Sequence, residues 1–416
     1  MCNHSFRNSS ALRLTRVGLS AALARRAAVF LTFAAASVAY ANGEDRLAPW
    51  RKATIKPVTD TSKRHATHTY YLTNPESPDG TRVLFFVSSA KDGHFGDLIV
   101  KDRKTGKETV IARDINTEDA HRAACQQWIS NGRRVAFHDV KNGRWSVHVV
   151  DLDTLKVRKL VEDRQLGFGA ATGDTVSIYG CHWNPGPHRN LELLNVVTGK
   201  TETVMTIQEV ERDYGAYLTK TFTGRPTSIF FPVISPDGKR VFFKMSAPGK
   251  DGAANNFMSK DASFRQGLFV FDLEQRKTVF MREKWGHPAW HPDSRRVMEV
   301  GNIFFDTSDG GKMSKMPNLP ILRGNHPSMS PDGKIYVVDG LMDNVGGPAG
   351  HWGVAVGDPR GDHFHVMMRF DNGRGARSWR RSHPHPIFSA DSRRIYFNVS
   401  DGEFIRLLVA EAAPGR

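Results

Sequence analysis

The stretch SPDGTRVLF at residues 77–85 sets a pattern that the rest of the chain repeats: a tight turn, a basic residue and an apolar strand. Proline and glycine at these positions supply the backbone angles that such a turn requires. Clear copies of the turn stand at 235–238, 291–294, 330–333 and 389–392, and degenerate copies at 130–132 and 172–174. The sequence therefore contains seven repeats.

Each turn is followed by further short apolar segments that read as β-strands. Examples are Leu98-Ile99-Val100, Val147-His148-Val149-Val150 and Leu268-Phe269-Val270-Phe271, each before a second turn. Four short strands per repeat, joined by hairpin turns, are typical of a β-propeller blade. We therefore predict an all-β fold, a seven-bladed β-propeller that forms one domain over residues 42–416. The last repeat ends before its outermost strand, and residues 53–58 are predicted to supply that strand and close the ring.

Residues 1–41 have the composition of a cleavable signal peptide. The leader carries five arginines and no acidic residue, then an apolar run over 27–39 and a small-x-small site ending at Ala41. The run is short for a membrane span, and no later segment qualifies as one. We expect a secreted or periplasmic protein, with an uncleaved N-terminal anchor as the other possibility. Cys125 and Cys181 remain in the mature chain, where buried thiols or one disulfide are both compatible with export.

The net charge of +15 falls to about +10 once the leader is removed. A positive field favours an anionic partner, and an exported protein meets acidic polysaccharide rather than nucleic acid. The chain contains no nucleic-acid-binding motif. Solubility alone is the other explanation of this charge.

Histidines recur at one position of three consecutive repeats. His287, His326 and His385 each stand seven residues before the last residue of their turn, and His383 precedes His385 by two. Side chains two apart on a strand point the same way, so four imidazoles should converge at the centre of the ring. The equivalent residues of the other repeats are Thr73, Cys125, Leu166 and Phe231. Converging imidazoles predict a divalent metal site, whereas isolated inner-strand histidines would be hydrogen-bonded core groups.

The segment Ser382-His383-Pro384-His385-Pro386 resembles the His-Pro-His-Pro signature of oligogalacturonate lyases. The resemblance implies a seven-bladed propeller that binds manganese and cleaves uronate oligosaccharides by β-elimination, with His287 as a further ligand. Zinc and calcium stay open as alternatives. Two departures are visible: Arg380 occupies the position of a ligand glutamine, and residues 229–232 lack the family's base histidine. His326 is the candidate that completes the ligand set.

Blade two is similar to that of ulvan lyases, a second propeller family that acts on sulfated uronate polysaccharide. That resemblance implies a catalytic pair, His121 and His138, on two arms of one hairpin, assisted by Tyr214 or Tyr217 and by Arg225. β-Elimination needs such groups, because a base removes the proton next to a carboxylate and a cation neutralises that carboxylate. Ordinary polar residues of the channel wall are the other interpretation.

A basic and aromatic cluster leads into the His-Pro-His segment. Arg377 and Arg380 are suited to grip a sugar carboxylate, and Trp379 to stack on the sugar ring. We therefore expect a secreted polysaccharide lyase that cleaves a uronate-containing glycan of the oligogalacturonate or ulvan type with a bound divalent metal. The alternative is a non-catalytic, WD40-like exported binding module. The sugar, the metal and the oligomeric state are open.

Overall fold

A computed structural model describes residues 45–117, 122–252, 259, 261–284, 286–316, 319–324, 326–361, 363–374 and 383–414. These residues form seven four-stranded antiparallel sheets, which are the blades of a β-propeller. The predicted fold is thereby confirmed. None of the helices in the described ranges is long and apolar enough to cross a membrane.

The chain begins with a short helix α1 (Ala48–Arg51) and strand β1 (Thr54–Pro57). The first three blades then follow in chain order, and each is listed from its innermost strand outwards. Blade one contains β2 (His65–Thr67), β3 (Arg82–Ser88), β4 (Phe95–Asp102) and β5 (Glu108–Asn116); blade two contains β6 (Gln127–Ile129), β7 (Arg134–Lys141), β8 (Arg144–Asp151) and β9 (Val157–Glu162); blade three contains β10 (Arg164–Leu166), β11 (Thr175–Gly180), β12 (Leu191–Asn195) and β13 (Thr201–Met205).

The helix α2 (Ile207–Phe222) precedes blade four, and two 3-10 turns lie in and after blade six. The remaining strands complete the ring. Blade four contains β14 (Ser228–Ile234), β15 (Arg240–Pro248), β16 (Ser263–Asp272) and β17 (Lys277–Arg282); blade five contains β18 (Ala289–Trp290), β19 (Arg296–Glu299), β20 (Ile303–Asp306) and β21 (Lys312–Lys315); blade six contains β22 (Pro327–Met329), β23 (Tyr336–Leu341), β24 (His351–Gly357) and β25 (Phe364–Asp371); blade seven contains β26 (Ile387–Phe388), β27 (Arg394–Val399) and β28 (Arg406–Glu411).

Blade seven is completed by the N-terminal strand, as predicted. Strand β1 pairs antiparallel with β28, from Thr54 opposite Glu411 to Pro57 opposite Leu408. A buried ion pair also joins blade one to blade seven. Glu76 of blade one accepts two hydrogen bonds of 2.8 Å from Arg394 of blade seven, and one of 2.5 Å from the hydroxyl of Tyr396. Backbone pairing and a buried charge pair therefore both close the ring.

The core lies between the blades, because each strand side chain faces one neighbour or the other. On β3, Leu84 and Phe86 pack with Trp128 and other residues of blade two, whereas Phe85 packs with residues of blade seven such as Tyr396. This alternation follows from the two-residue period of a strand. Full burial of one such side chain contributes roughly 1.5–3 kcal/mol.

The predicted turns are built alike. In four of them the serine hydroxyl donates to the aspartate two residues later, at 2.5 Å in Ser77, 2.6 Å in Ser235 and Ser330, and 2.7 Å in Ser389. The same hydroxyl accepts a backbone N–H from the strand that follows, such as that of Arg240. These bonds hold the turn before the second strand in blades one, four, six and seven.

The insertion before blade four, residues 206–224, contains a helix that the repeat pattern did not predict. Helix α2 starts with a capping box, in which the Thr206 hydroxyl accepts from the backbone of Glu209 and the Glu209 carboxylate accepts from the backbone of Thr206. Threonine followed three residues later by glutamate is the sequence signal of this cap. Tyr214 has a non-helical backbone inside α2, where the helix kinks.

Candidate metal centre

Three of the four predicted histidines bring their ligand atoms together. One ligand atom from each of His326, His383 and His385 lies within 4.8 Å of the other two. The rings of His326 and His385 have centroids 4.5 Å apart, and the ring of His287, which is outside that group of three, has its centroid 4.5 Å from that of His326. Residues from blades five, six and seven therefore converge, as the repeat register predicts. We call these four residues the histidine cluster.

A buried aspartate that the sequence analysis missed holds two members of the histidine cluster. Asp339, on β23, accepts hydrogen bonds of 2.8 Å from the backbone N–H of His326 and of 2.8 Å from that of His385. Its carboxylate also lies 2.8 Å and 3.0 Å from Nδ1 of His326. When this carboxylate is ionised it only accepts, so His326 then donates from Nδ1 and presents the lone pair of Nε2. Burial raises the pKa of Asp339 to about 7, while His383 and the backbone donors lower it.

The backbone at His385 has an unusual conformation that its neighbours fix. His385 has a φ of 50°, in the left-handed region that non-glycine residues rarely adopt. Cys125 and Phe231, at the equivalent positions of blades two and four, share this conformation with φ of 53° and 57°. Such strain costs about 1 kcal/mol or more and persists only where the surroundings fix it. At His385, the bond from its N–H to Asp339 supplies that constraint.

Two further contacts fix the remaining members of the histidine cluster. The His383 ring stacks on Trp352 of β24 at 4.1 Å between centroids, nearly parallel. The carboxylate of Glu299, at the end of β19, accepts from the backbone N–H of His287. Burial raises the pKa of Glu299, while Lys244 lowers it. Blades five and six thus each place a buried carboxylate behind the histidines.

A tyrosine from blade one reaches the histidine cluster. After β2 the chain leaves the sheet, so that Thr73 lies outside any strand and Tyr70 and Tyr71 enter the channel in its place. Tyr70 is half-buried, and its ring lies 4.5 Å from that of His385 and 5.8 Å from that of His326. Tyr71 is buried and donates from its hydroxyl to the carbonyl of Pro288 at 3.1 Å. Thr73, the equivalent of His287, His326 and His385 in this blade, therefore has no place on an inner strand.

The predicted base His138 lies on β7 with no exposed surface. Its Nδ1 accepts from the backbone N–H of Leu166 in blade three at 3.3 Å, and its ring meets Trp145 edge-on at 4.9 Å. His138 follows the last residue of its turn by six positions, and Lys244 and Asp339 occupy the same position in blades four and six. All three side chains form a hydrogen bond with the backbone of the following blade, so this position has the same structural role in the three blades.

Tyr214 and Arg225 lie by α2 and blade four. The Tyr214 ring packs edge-on against Phe269 at 5.1 Å. Arg225 donates to the carbonyls of Phe222 and Pro248, and its guanidinium covers Phe264. Among the described residues, neither Tyr214 nor Arg225 contacts the histidine cluster. The predicted His121, Arg377, Trp379 and Arg380 lie outside the described residues, as does the predicted signal peptide.

Of the two alternatives for Cys125 and Cys181, the structure shows free thiols rather than a disulfide. Cys125 is a buried thiol directed at the carbonyl of Leu166, and Cys181 is a half-buried thiol beside Trp145 and Trp183. A core location is therefore correct for Cys125. Neither thiol lies in the histidine cluster.

The structure resembles solved propellers, although no protein-family model and no curated protein sequence matches the chain. An oligogalacturonate lyase in complex with manganese is 18% identical, with a TM-score of 0.58 over 86% of this chain and 93% of that one. An oligogalacturonate lyase from Vibrio parahaemolyticus is 16% identical, with the same TM-score and coverage. A prolyl endopeptidase gives a TM-score of 0.51 at 12% identity, over 85% of this chain and 51% of the other.

A structural likeness at such low sequence identity establishes the fold, whereas the activity has to be inferred from the residues of the site. The chain is a seven-bladed β-propeller similar in fold to the oligogalacturonate lyases.

Proposed function

We propose that the protein is a polysaccharide lyase, which cleaves a uronate-containing glycan by β-elimination with a divalent metal held by the histidine cluster. The observation that carries this proposal is the convergence of His326, His383 and His385, with ligand atoms within 4.8 Å, in front of the buried carboxylate of Asp339. A carboxylate behind a ligating imidazole is the usual arrangement in metal sites. The likeness in fold to a manganese-bound oligogalacturonate lyase supports the same assignment.

The donor set fits a transition-metal ion. His326, His383 and His385, with His287 beside them, offer imidazole nitrogen, which suits manganese, zinc, iron, copper or nickel. Calcium prefers six to eight oxygen ligands, so the donor chemistry speaks against the calcium alternative. We propose manganese, following the resemblance, with zinc as the competitor. When bound, the ion would supply positive charge to neutralise the uronate carboxylate.

The reaction requires one proton to leave carbon and one to reach oxygen. A base removes the proton at C5, the electrons of that bond form the C4–C5 double bond, the bond from C4 to the glycosidic oxygen breaks, and that oxygen takes a proton. Tyr70 is the proton-transfer group that we place beside the histidine cluster, because its half-buried ring contacts both His385 and His326. A phenol at this position is suited to exchange a proton with bound substrate.

The histidine pair predicted from the sequence, His121 and His138, stays a competing proposal for the base. Tyr214 and Arg225 would assist that pair. The complete burial of the His138 side chain and the hydrogen bond that it accepts from Leu166 favour a structural role for this residue. The choice is testable with Tyr70→Phe and His138→Ala. We expect Tyr70→Phe to lower turnover at least about a hundredfold, with unchanged metal affinity and melting temperature. Full turnover in Tyr70→Phe would exclude the phenol.

The lyase proposal itself is tested with the purified protein and a panel of uronate glycans, including oligogalacturonate and ulvan. The product carries a C4–C5 double bond conjugated to the carboxylate, so ultraviolet absorbance reports cleavage. We expect absorbance to rise with manganese and to be lost in His326→Ala. His291→Ala is the matched control, since His291 lies in the turn of blade five, where it contacts Asp293 and Arg296.

The outcomes of this assay separate the two functions. Cleavage that survives His326→Ala unchanged would contradict the proposed site. Metal binding without cleavage of any acidic glycan would favour the exported binding module instead. We further propose export through the leader at residues 1–41 and a positively charged surface that attracts the acidic glycan; mature N-terminal sequencing of the secreted protein tests the cleavage near Ala41.

A further inference from the structure

Asn398 joins the segment of blade one that carries Tyr70 to the ligand segment 383–385. It lies on β27 of blade seven and has no exposed surface. Its side-chain oxygen accepts from the backbone N–H of His68 at 3.1 Å, and its amide nitrogen donates to the carbonyl of the same residue at 3.4 Å. Its backbone N–H donates to the carbonyl of Pro384 at 2.8 Å. A single residue therefore bonds to both segments.

Asn398 occupies the same position in its repeat as Asp339. Both follow the last residue of their turn by six positions, and both bond to the backbone of the following blade. Asp339 of blade six accepts from the N–H of His385 in blade seven, and Asn398 of blade seven accepts from the N–H of His68 in blade one. Two equivalent side chains thus link three consecutive blades beside the histidine cluster.

His68 and Tyr70 stand two residues apart, and both contact the ligand segment. The ring of His68 lies against the backbone carbonyls of Pro384 and His385, and the ring of Tyr70 lies 4.5 Å from that of His385. Because Asn398 bonds both the N–H and the C=O of His68, it restricts the two backbone angles that direct the chain towards Tyr70. The placement of the Tyr70 ring on His385 therefore depends on this pair of bonds.

Two threonines also hold the segment before Tyr70. The Thr67 hydroxyl donates to the carbonyl of His68 at 2.9 Å, and the Thr69 hydroxyl donates to a carbonyl of blade two at 2.9 Å. These bonds remain when the side chain of Asn398 is removed, whereas the tie from the side chain to the blade of the ligand segment is lost. We therefore expect its removal to shift Tyr70 rather than to release it.

We propose that Asn398 is a positioning residue, which holds the Tyr70 ring on His385 and so sets the place of the proton-transfer group relative to the metal. The role of Tyr70 in proton transfer rests on the proposed function, whereas the placement of its ring can be measured without metal or substrate. A misplacement of about 1 Å can lower turnover about a hundredfold. Asn398 would thus act on turnover through Tyr70, without contact to substrate.

The first test measures the placement of the Tyr70 ring by NMR in the metal-free protein. A nearby aromatic ring shifts the resonances of imidazole protons, so the difference between the unmodified protein and Tyr70→Leu gives the ring-current shift that Tyr70 causes at His385. We expect Asn398→Ala to lose most of this shift. Asn398→Asp keeps an acceptor for the N–H of His68 and should lie between the two, which also covers the case in which Asn398→Ala does not fold.

The second test separates positioning from metal binding. Asn398→Ala keeps the backbone N–H that holds Pro384, so its manganese affinity should stay within about threefold of that of the unmodified protein, whereas kcat on a uronate glycan should fall roughly ten- to hundredfold at unchanged KM. Asn302→Ala is the matched control. Asn302 is also a buried asparagine, and its amide group bonds to Leu319, Pro320 and Tyr336. This variant should lose stability but keep the ring-current shift and kcat.

The outcomes distinguish this role from the lyase proposal. An unchanged ring-current shift in Asn398→Ala, or an equal loss in Asn302→Ala, would overturn the positioning role. So would an unchanged kcat in an Asn398→Ala protein that has lost the shift. Loss of the shift in Asn398→Ala, when the unmodified protein cleaves no glycan, would support the placement of Tyr70 by Asn398 and sink the lyase proposal alone.

Discussion

Asp339→Asn keeps the shape of the side chain behind the histidine cluster but removes its charge and one acceptor. The carboxylate uses one oxygen for the backbone N–H and Nδ1 of His326, and the other for the N–H of His385. An asparagine has a single oxygen and an NH2 group. Whichever way the amide lies, its NH2 group therefore faces a donor of His326 or of His385.

The expected loss in metal affinity is about ten- to hundredfold, the usual effect of removing a partner behind a ligating histidine. This corresponds to about 1.4 to 2.7 kcal/mol of binding free energy. With metal in excess, the stabilisation that the ion gives to the folded protein falls by the same amount. The metal-free protein should also lose about 1–3 kcal/mol, because a buried N–H group is left without an acceptor.

The assay is titration of manganese by calorimetry, combined with melting curves with and without the ion. Asp358→Asn is the matched control, since Asp358 is a buried carboxylate at the end of β24 in the same blade and pairs with Arg360 and Arg46. That variant should lose stability but keep its metal affinity. Unchanged affinity in Asp339→Asn, or an equal loss in Asp358→Asn, would refute the part assigned to Asp339.

Three further predictions concern stability. Glu76→Gln should lower the free energy of unfolding by about 3 kcal/mol, because Arg394 loses its buried partner; denaturant melts measure this, and a loss near zero would contradict the closing pair. Burial lowers the pKa of His68 to about 4, so the unfolded chain binds a proton that the folded one does not, and stability should fall by about 3 kcal/mol as the pH drops from 6.5 to 4. His68→Asn should flatten that part of the pH profile, and an unaltered profile would speak against it. Thr206→Ala should cost about 1 kcal/mol through loss of the cap of α2, visible in the same melts, whereas Thr198→Ala in an exposed turn should cost less.

The blades and the histidine register could be predicted because both repeat along the chain. A turn such as 330–333 fixes the start of the second strand, so residues at a constant offset before it, such as His326, are expected at one level wherever the inner strand is regular. The same logic predicted that β1 would complete blade seven, because that repeat is one strand short.

The residues that the sequence did not reveal depend on contacts between blades or on a break in the repeat. Asp339 is six residues after Gly333, and its importance appears only when the next blade brings His385 against it. Tyr70 contacts the histidine cluster from the segment that follows β2, which no turn signal predicted. Helix α2 could have been predicted from the sequence, because Thr206 and Glu209 have the spacing of a capping box. The strand pattern on both sides of it drew attention away from this signal.

The position of Tyr70 and Tyr71 has a consequence for how a polymer can be handled. Tyr70 touches rings from blades three, four, six and seven, and Tyr71 is bonded to blade five, so this pair fills the axis of the ring. Under the proposed lyase function, a glycan would therefore reach the histidine cluster, and both fragments would leave it, on the same side of this tyrosine pair.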